Sequence, residues 1–465
     1  MARTVRIVTT NDFFGCFAPA PTSYGALAGG DGLRRAVERL RVGQPTIWAD
    51  TGDFSQSGPL SALSRGRLGF RAAAELGIDV AAVGNHDLDF GLPLLREEAP
   101  GLGFPLLCAN APLGLPPMAI LPTGAGDIGF VGLTYPALPA MAPYSLTPAR
   151  ALPTNDRDLA EAARAATADL RAAGVAAVVA LLHDGIDGHP TTTGTYVADP
   201  ARLGTLCRPW AGVVDAILLG HTCGRYMGDI AGTPVVQPWP FGAEIGVLDL
   251  ELAPSAPPRV VAGTPRGELV PPGGAWAGAG GDLLAVAEGR VLGVLDEPLH
   301  DRMGGGAAPL ADFLARAIRA ATDVDAALAH TQTGQPTLDG VFAALPRGPV
   351  TALQLLQVMP WADGRMVRGA LDRAELAAVV AGLRPPAGRA ARVAVVDVWT
   401  GLQANAVGWG LDENPASGTR GTVTVAVPAG HAPVAVDAFA GRAIAWEDTG
   451  ATIDDAVRAA LAVTR

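Results

Sequence analysis

Five short polar clusters hold most of this chain's capacity for chemistry, and each follows an apolar run. The densest is Gly84-Asn85-His86-Asp87-Leu88-Asp89, where an amide, an imidazole and two carboxylates leave one apolar stretch together. The others are Asn11-Asp12, Gly52-Asp53, His183-Asp184-Gly185 and Gly220-His221-Thr222-Cys223. Asp, Asn and His suit Mn, Fe or Zn as ligands, and an imidazole near a carboxylate can also move a proton. Taken singly each has a plainer reading. Asp12 and Asp53 could cap helices, Asn85 could serve a turn, and His183 or His221 could be satisfied core histidines.

The elements that must position these residues decide between the readings. Residues 5–9, 46–49, 79–83, 129–133, 175–182, 213–219, 233–237 and 245–252 are short apolar runs that read as strands. Residues 32–40, 70–76 and 159–173 carry helical periodicity between them. That alternation predicts a layered α/β domain. Asp12, Asp53, Asn85, His86, His183 and His221 each sit just beyond a predicted strand. Strand ends of such sheets converge at one edge, so these side chains are expected to form one site.

Composition narrows the partners. The 465 residues exceed one ordinary core, and two domains are expected. A formal net charge of -11 disfavours a nucleic-acid surface. Four cysteines, Cys16, Cys108, Cys207 and Cys223, form no CxxC pair and are too sparse for a disulfide framework. The first ten residues run directly into VRIVTT without the pattern of a signal peptide, and no apolar run is long enough to span a bilayer. The expectation is a cytoplasmic protein acting on a small molecule, with no membrane or nucleic-acid partner.

The set Thr10-Asn11-Asp12, Gly52-Asp53, Gly84 to Gly91 (GNHDLDFG), Leu181 to Gly185 (LLHDG) and Gly220 to Cys223 (GHTC) resembles the calcineurin-like metallophosphoesterases, in particular their two-domain 5′-nucleotidase branch. One such motif alone is weak; five in order, each after a strand, are specific. The resemblance implies a four-layer α/β/β/α sandwich with a C-terminal substrate domain, and a pair of divalent metals that clamp a phosphate. Carried over by position, Asp53, Asn85, His183 and His221 complete one metal site. His86 matches the proton donor to the leaving oxygen, and Asp89 the carboxylate that orients it.

The other metal site departs from the pattern. The family's D-x-H reads Asp12-Phe13-Phe14 here, so Phe14 holds a histidine position. The family's GHxH reads Gly220-His221-Thr222-Cys223, so Cys223 holds another. Both losses fall on the same metal. Three arrangements follow. Cys223 serves as a thiolate ligand with Asp12, Asp53 and Cys16; or one metal works alone; or catalysis is lost and the chain is a ligand-binding or redox relative, since two histidines and a carboxylate also suit Fe(II). Retention of both His86 and Asp89 favours hydrolysis of a small phosphoester with one or two ions of Mn, Fe or Zn.

A Pro- and Gly-rich stretch, residues 253–281, reads as a connector, followed by a short helix near 282–290. The expected domains are a catalytic unit at 1–265, a linker with connecting helix at 266–293, and a substrate-binding unit at 294–465. In that second unit the resemblance implies a phosphate-holding loop near residues 326–335, but its arginine is absent. Trp361 and Asp363 fall where relatives have P-F-x-N, and Phe439 falls in a degraded GGDGF loop, so these three are candidate substrate contacts. A carboxylate at Asp363 without the arginine disfavours a polyanionic nucleotide tail. The expected substrate is a less charged or differently shaped phosphoester.

Overall fold

The computed structural model describes residues 3–22, 25–56, 58–139, 154–155, 157–190, 196–199, 201–222, 224–253, 256–302, 309–331, 341–359, 362–372, 374–376, 378–379, 396–400, 402–405, 408–411, 422–430, 436–437, 440–441 and 443–463. Two sheets dominate the first half. One is built from β1 (Arg3–Thr10), β2 (Thr46–Asp50), β3 (Val80–Ala82) and β4 (Leu106–Leu107), which are mutually parallel. The second centres on β5 (Ile128–Leu133), β6 (Ala177–Leu182), β7 (Ala216–Leu219) and β8 (Thr233–Gln237), also parallel, in the order β8-β7-β6-β5. A long strand, β9 (Glu244–Ala253), returns antiparallel to β1.

Alternation along the strands explains why the sheets stack. Val5 and Ile7 of β1, Val179 and Leu181 of β6, and Leu218 of β7 face one shared core between the sheets. Their sequence neighbours Val178, Ala180, Leu182 and Ile217 face outward onto Ala162, Ala163, Ala166 and Leu170 of the helix α1 (Leu159–Ala172). With both faces buried, such strands must be apolar throughout, which is how these runs read. Asp158 starts α1 by accepting from Ala160 N and Glu161 N. On the far face of the first sheet, Val8, Trp48, Ala81 and Val83 pack with Leu33, Val37 and Phe70 from helices. The result is helix, sheet, sheet, helix.

Within the connector the structure has strands that the sequence reading did not assign. Residues Ala256–Val260 and Arg266–Leu269 are strands that pair antiparallel with β9. Prolines 257 and 258 are compatible because the strand lies at a sheet edge, where a missing N–H costs no ladder bond. The helix that follows, Gly281–Gly289, agrees with its expected position. Beyond it, a five-stranded sheet runs Val396–Thr400, Ala326–Thr331, Thr422–Gly430, Ala362–Asp372, Glu447–Thr452, with helices Pro309–Thr322 and Ile453–Val463. Gln357 reaches back to the first half, donating to Pro19 O at 3.0 Å. Among the described residues no helix is long and apolar enough to cross a membrane.

Candidate metal centre

The C-terminal ends of β1, β2, β3, β6 and β7 deliver the polar clusters to one buried edge. Asp53 Oδ2 lies 3.0 Å from His183 Nε2. Asn85 Oδ1 lies 3.0 Å from the same nitrogen and 2.8 Å from His221 Nδ1. The ligand atoms of Asp53, His183 and His221 all fall within 4.8 Å of one another, and all three residues are buried. Three of the elements come from one sheet and two from the other, so only the stacked fold assembles the set.

Close backbone approach makes this possible. A Cβ on Gly84 would stand 2.1 Å from Asp53 Oδ1, and one on Gly52, at φ +104°, would stand 2.5 Å from Gly84 N. Only glycine allows the two loops to touch in this way. Asp12, Phe14, Asp53, His221 and Phe241 all take positive φ, between 47° and 69°. For non-glycine residues this is strained backbone, and its concentration around one point is the mark of a functional centre.

The electrostatics fix the protonation of the metal-free form. His183 Nδ1 faces Thr51 O at 2.8 Å, a group that only accepts, so Nδ1 carries a proton and Nε2 faces the cluster. Burial alone would lower the His183 pKa, but the Asp53 carboxylate beside it raises it to about 10. For Asp53 burial pushes upward, and the charges of His183 and His86 outweigh it and hold the carboxyl at about 2. An imidazolium and a carboxylate therefore face each other where an ion would sit.

The donor set fits a divalent metal. A carboxylate oxygen, an amide oxygen and two imidazole nitrogens are the borderline ligands of Mn, Fe and Zn. Asp53 Oδ2 is buried with no aligned hydrogen bond, leaving an anionic acceptor that burial alone would not tolerate. His86 stands beside this set, with Nδ1 3.1 Å from both carboxylate oxygens of Asp89. Burial lowers the His86 pKa, but Asp89 and Asp53 overcome it and raise it to about 9.

Among the described residues, Asp12 and Cys16, expected at the other ion, join no such ligand group. Phe14 is buried among Ala20, Leu27 and Phe241. Its ring meets the edge of His86 at 5.5 Å between centroids and leans on Phe241 at 5.0 Å. Asp12 is fully buried and turns Oδ2 onto His221 N at 2.7 Å, while Oδ1 has no hydrogen-bond partner. Burial raises the Asp12 carboxyl well above its usual range. Cys16, considered as a thiolate, packs against the Phe14 cluster, and burial pushes its thiol up to about 12 in the metal-free form. Cys223 lies outside the described residues.

Of the candidate substrate contacts, Trp361 and Phe439 also lie outside the described residues, and Asp363 lies in the strand Ala362–Asp372, its side chain undescribed. Asp437, beside Phe439, turns onto its own segment and accepts from Ile444 N at 3.1 Å and Trp446 Nε1 at 3.0 Å.

Several contributors have no role that the sequence pattern assigns. Thr51 supplies the carbonyl that fixes the His183 tautomer. Tyr135 stacks on His221 with centroids 4.3 Å apart. Asp50 accepts from Thr10 Oγ1 at 2.6 Å and Gly52 N at 2.8 Å, and burial raises its carboxyl to about 7. Asp87 is the fourth. The one signal in the sequence is that Asp87 is a carboxylate inside a motif and Asp50 one just before another.

No protein-family model matches the chain. Among curated proteins it is similar to Endonuclease YhcR of Bacillus subtilis, 25% identical over 338 residues, which is 66% of this chain and 26% of that protein. It is also similar to a 2′,3′-cyclic-nucleotide 2′-phosphodiesterase/3′-nucleotidase of Yersinia enterocolitica, 24% identical over 244 residues, 44% of this chain and 36% of that one. The chain thus spans only 26% and 36% of the length of these two relatives. Among solved structures, a 5′-nucleotidase precursor of Thermus thermophilus superposes with a TM-score of 0.68 at 20% identity, covering 99% of this chain and 96% of that one.

Proposed function

We propose that this chain, which has the two-domain 5′-nucleotidase fold, is a calcineurin-like metallophosphoesterase, a metal-dependent hydrolase of a small phosphoester. The observation that carries the reading is the convergence of Asp53, Asn85, His183 and His221 on one buried point beside the His86–Asp89 pair. A divalent ion held by those four residues supplies positive charge to a phosphoryl group and lowers the pKa of water toward neutrality.

The chain's own residues divide the remaining work. Asp89 accepts from His86 Nδ1, so the proton handed to the departing oxygen comes from the opposite nitrogen, Nε2. With a pKa of about 9, His86 holds that proton at neutral pH, as an acid must before it donates. Phe14 against its ring edge keeps His86 from turning away and excludes water from that side. Thr51 O holds His183 in the tautomer that presents Nε2.

This reading favours one ion per chain, because Phe14, at an expected ligand position, packs in an apolar cluster and Asp12 accepts from His221 N. The lost arginine and added carboxylate of the second domain point to a phosphoester with less charge than a nucleoside diphosphate. The test is metal analysis of the purified protein together with turnover of p-nitrophenyl phosphate, bis-p-nitrophenyl phosphate, AMP and ADP. One equivalent of Mn, Fe or Zn with hydrolysis of the simpler esters is the expected result. Two equivalents with fast turnover of AMP and ADP would overturn both the stoichiometry and the substrate class. Neither metal nor hydrolysis would make the chain a repurposed ligand-binding relative.

A further inference from the structure

Asp87 takes no part in the chemistry proposed above, yet it is as deeply buried as the residues that do, at 2% exposure. Its two oxygens are fully used. Oδ2 accepts from Asp53 N at 3.0 Å and from Gly84 N at 2.9 Å. Oδ1 accepts from Ser55 N at 3.3 Å and from Ser55 Oγ at 2.9 Å. One carboxylate thus ties the loop after β2 to the loop after β3.

The tie is returned from the other side. Asp53 Oδ1 accepts from His86 N at 2.7 Å, which leaves Oδ2 as the oxygen that meets His183 Nε2. Each loop therefore gives a carboxylate to the backbone of the other. The arrangement matters because Asp53 sits at φ +57°, a left-handed conformation that costs energy for a residue with a side chain. Relaxed to an ordinary φ, its carboxylate would swing out of the cluster. With no side chain between Gly84 and Asp53, the two loops lie in direct contact, and the hydrogen bonds of Asp87 span that contact.

From this geometry we infer that Asp87 is the positioning residue of the metal centre: it sets the spacing and orientation of Asp53 and Asn85, and through them the affinity for the ion. The inference rests on the reading that Asp53 and Asn85 hold a divalent metal. Outer partners that orient ligands are typically worth ten- to a hundredfold in metal affinity. Asp87→Asn keeps the shape but turns an NH2 toward backbone donors, so at least one of the paired acceptor sites becomes a clash between donors.

The experiment is titration calorimetry of the metal-stripped full chain with Mn2+ alone, with thermal melting of the same metal-free samples. Wild type is expected to bind Mn2+, and Asp87→Asn to bind it at least tenfold more weakly. Ser55→Ala, which removes one of the four hydrogen bonds, should lose less in the same direction, and it carries the test if Asp87→Asn does not fold. Asp87→Glu, which restores the carboxylate at a different reach, should recover part of the loss. A residue that served only the general fold would lower the metal-free melting temperature and leave the dissociation constant of the folded protein unchanged, and that result overturns the inference. Wild type that binds no Mn2+ would instead sink the metal reading, and the role of Asp87 with it.

Discussion

Metal binding to this site should compete with a proton, and the competition can be worked out from His183. In the metal-free form its Nδ1 donates to Thr51 O and its Nε2 faces Asp53 Oδ2 and Asn85 Oδ1, both acceptors. Burial lowers its pKa, the Asp53 carboxylate raises it further, and the outcome is about 10. Across pH 6 to 8 the Nε2 proton is therefore bound, and an ion that uses this nitrogen must displace it. One displaced proton makes the apparent affinity rise tenfold per pH unit. Between pH 6 and pH 8 that is about a hundredfold, or about 2.7 kcal/mol. Calorimetric titration with Mn2+ in buffers of different ionisation heat counts the released protons directly. One proton at pH 7, with the affinity slope to match, is the expected result. Two would bring in the Asp12 carboxyl, whose pKa burial raises, and would favour a second ion. No release and a flat affinity would refute the imidazolium–carboxylate pair. The same pair sets a stability trend in the metal-free protein. A His183 pKa raised above its unfolded value of 6.5 stabilises fully below pH 6.5, and that contribution is lost as pH rises through about 10.

Two further outcomes test neighbouring parts of the site. Asp89→Asn removes the charge that offsets the burial of His86, so the alkaline limb of kcat should fall from near pH 9 toward the ordinary histidine range or below, with kcat reduced on the order of a hundredfold or more; an unmoved limb in the pH profile would exclude His86 as the titrating acid. Phe14→Ala should destabilise the protein by about 3–5 kcal/mol in urea unfolding, as the loss of a buried aromatic does, whereas Phe14→Gly should lose about 1 kcal/mol less, because φ +52° is relieved only by glycine. Equal losses in the two variants would mean that the backbone there is not strained.

What could be read from the sequence and what could not divide along a physical line. The strand ends were legible because a run buried on both faces must be apolar and must stop where the backbone meets polar loops, as at Val83-Gly84 and Leu182-His183. Side chains that act at those ends announce themselves by type. The connector at 253–281 was not legible, since edge strands tolerate proline and exposure, and Ala256–Val260 carries no apolar alternation for a pattern to catch. Asp87 was illegible for a deeper reason. Its partners lie 34, 32 and 3 residues away, and apart from the Ser55 hydroxyl they are backbone N–H groups, which every residue but proline possesses. Such a contact leaves no trace in the partner's side chain. Phe14 is intermediate: its type excluded it as a ligand, but only the fold shows that the ring is placed against His86 and that the emptied ligand position has become a wall of the acid site. On the one-ion reading, the loss of one metal position and the retention of the acid are connected, because Phe14, which stands at the lost ligand position, also packs against His86.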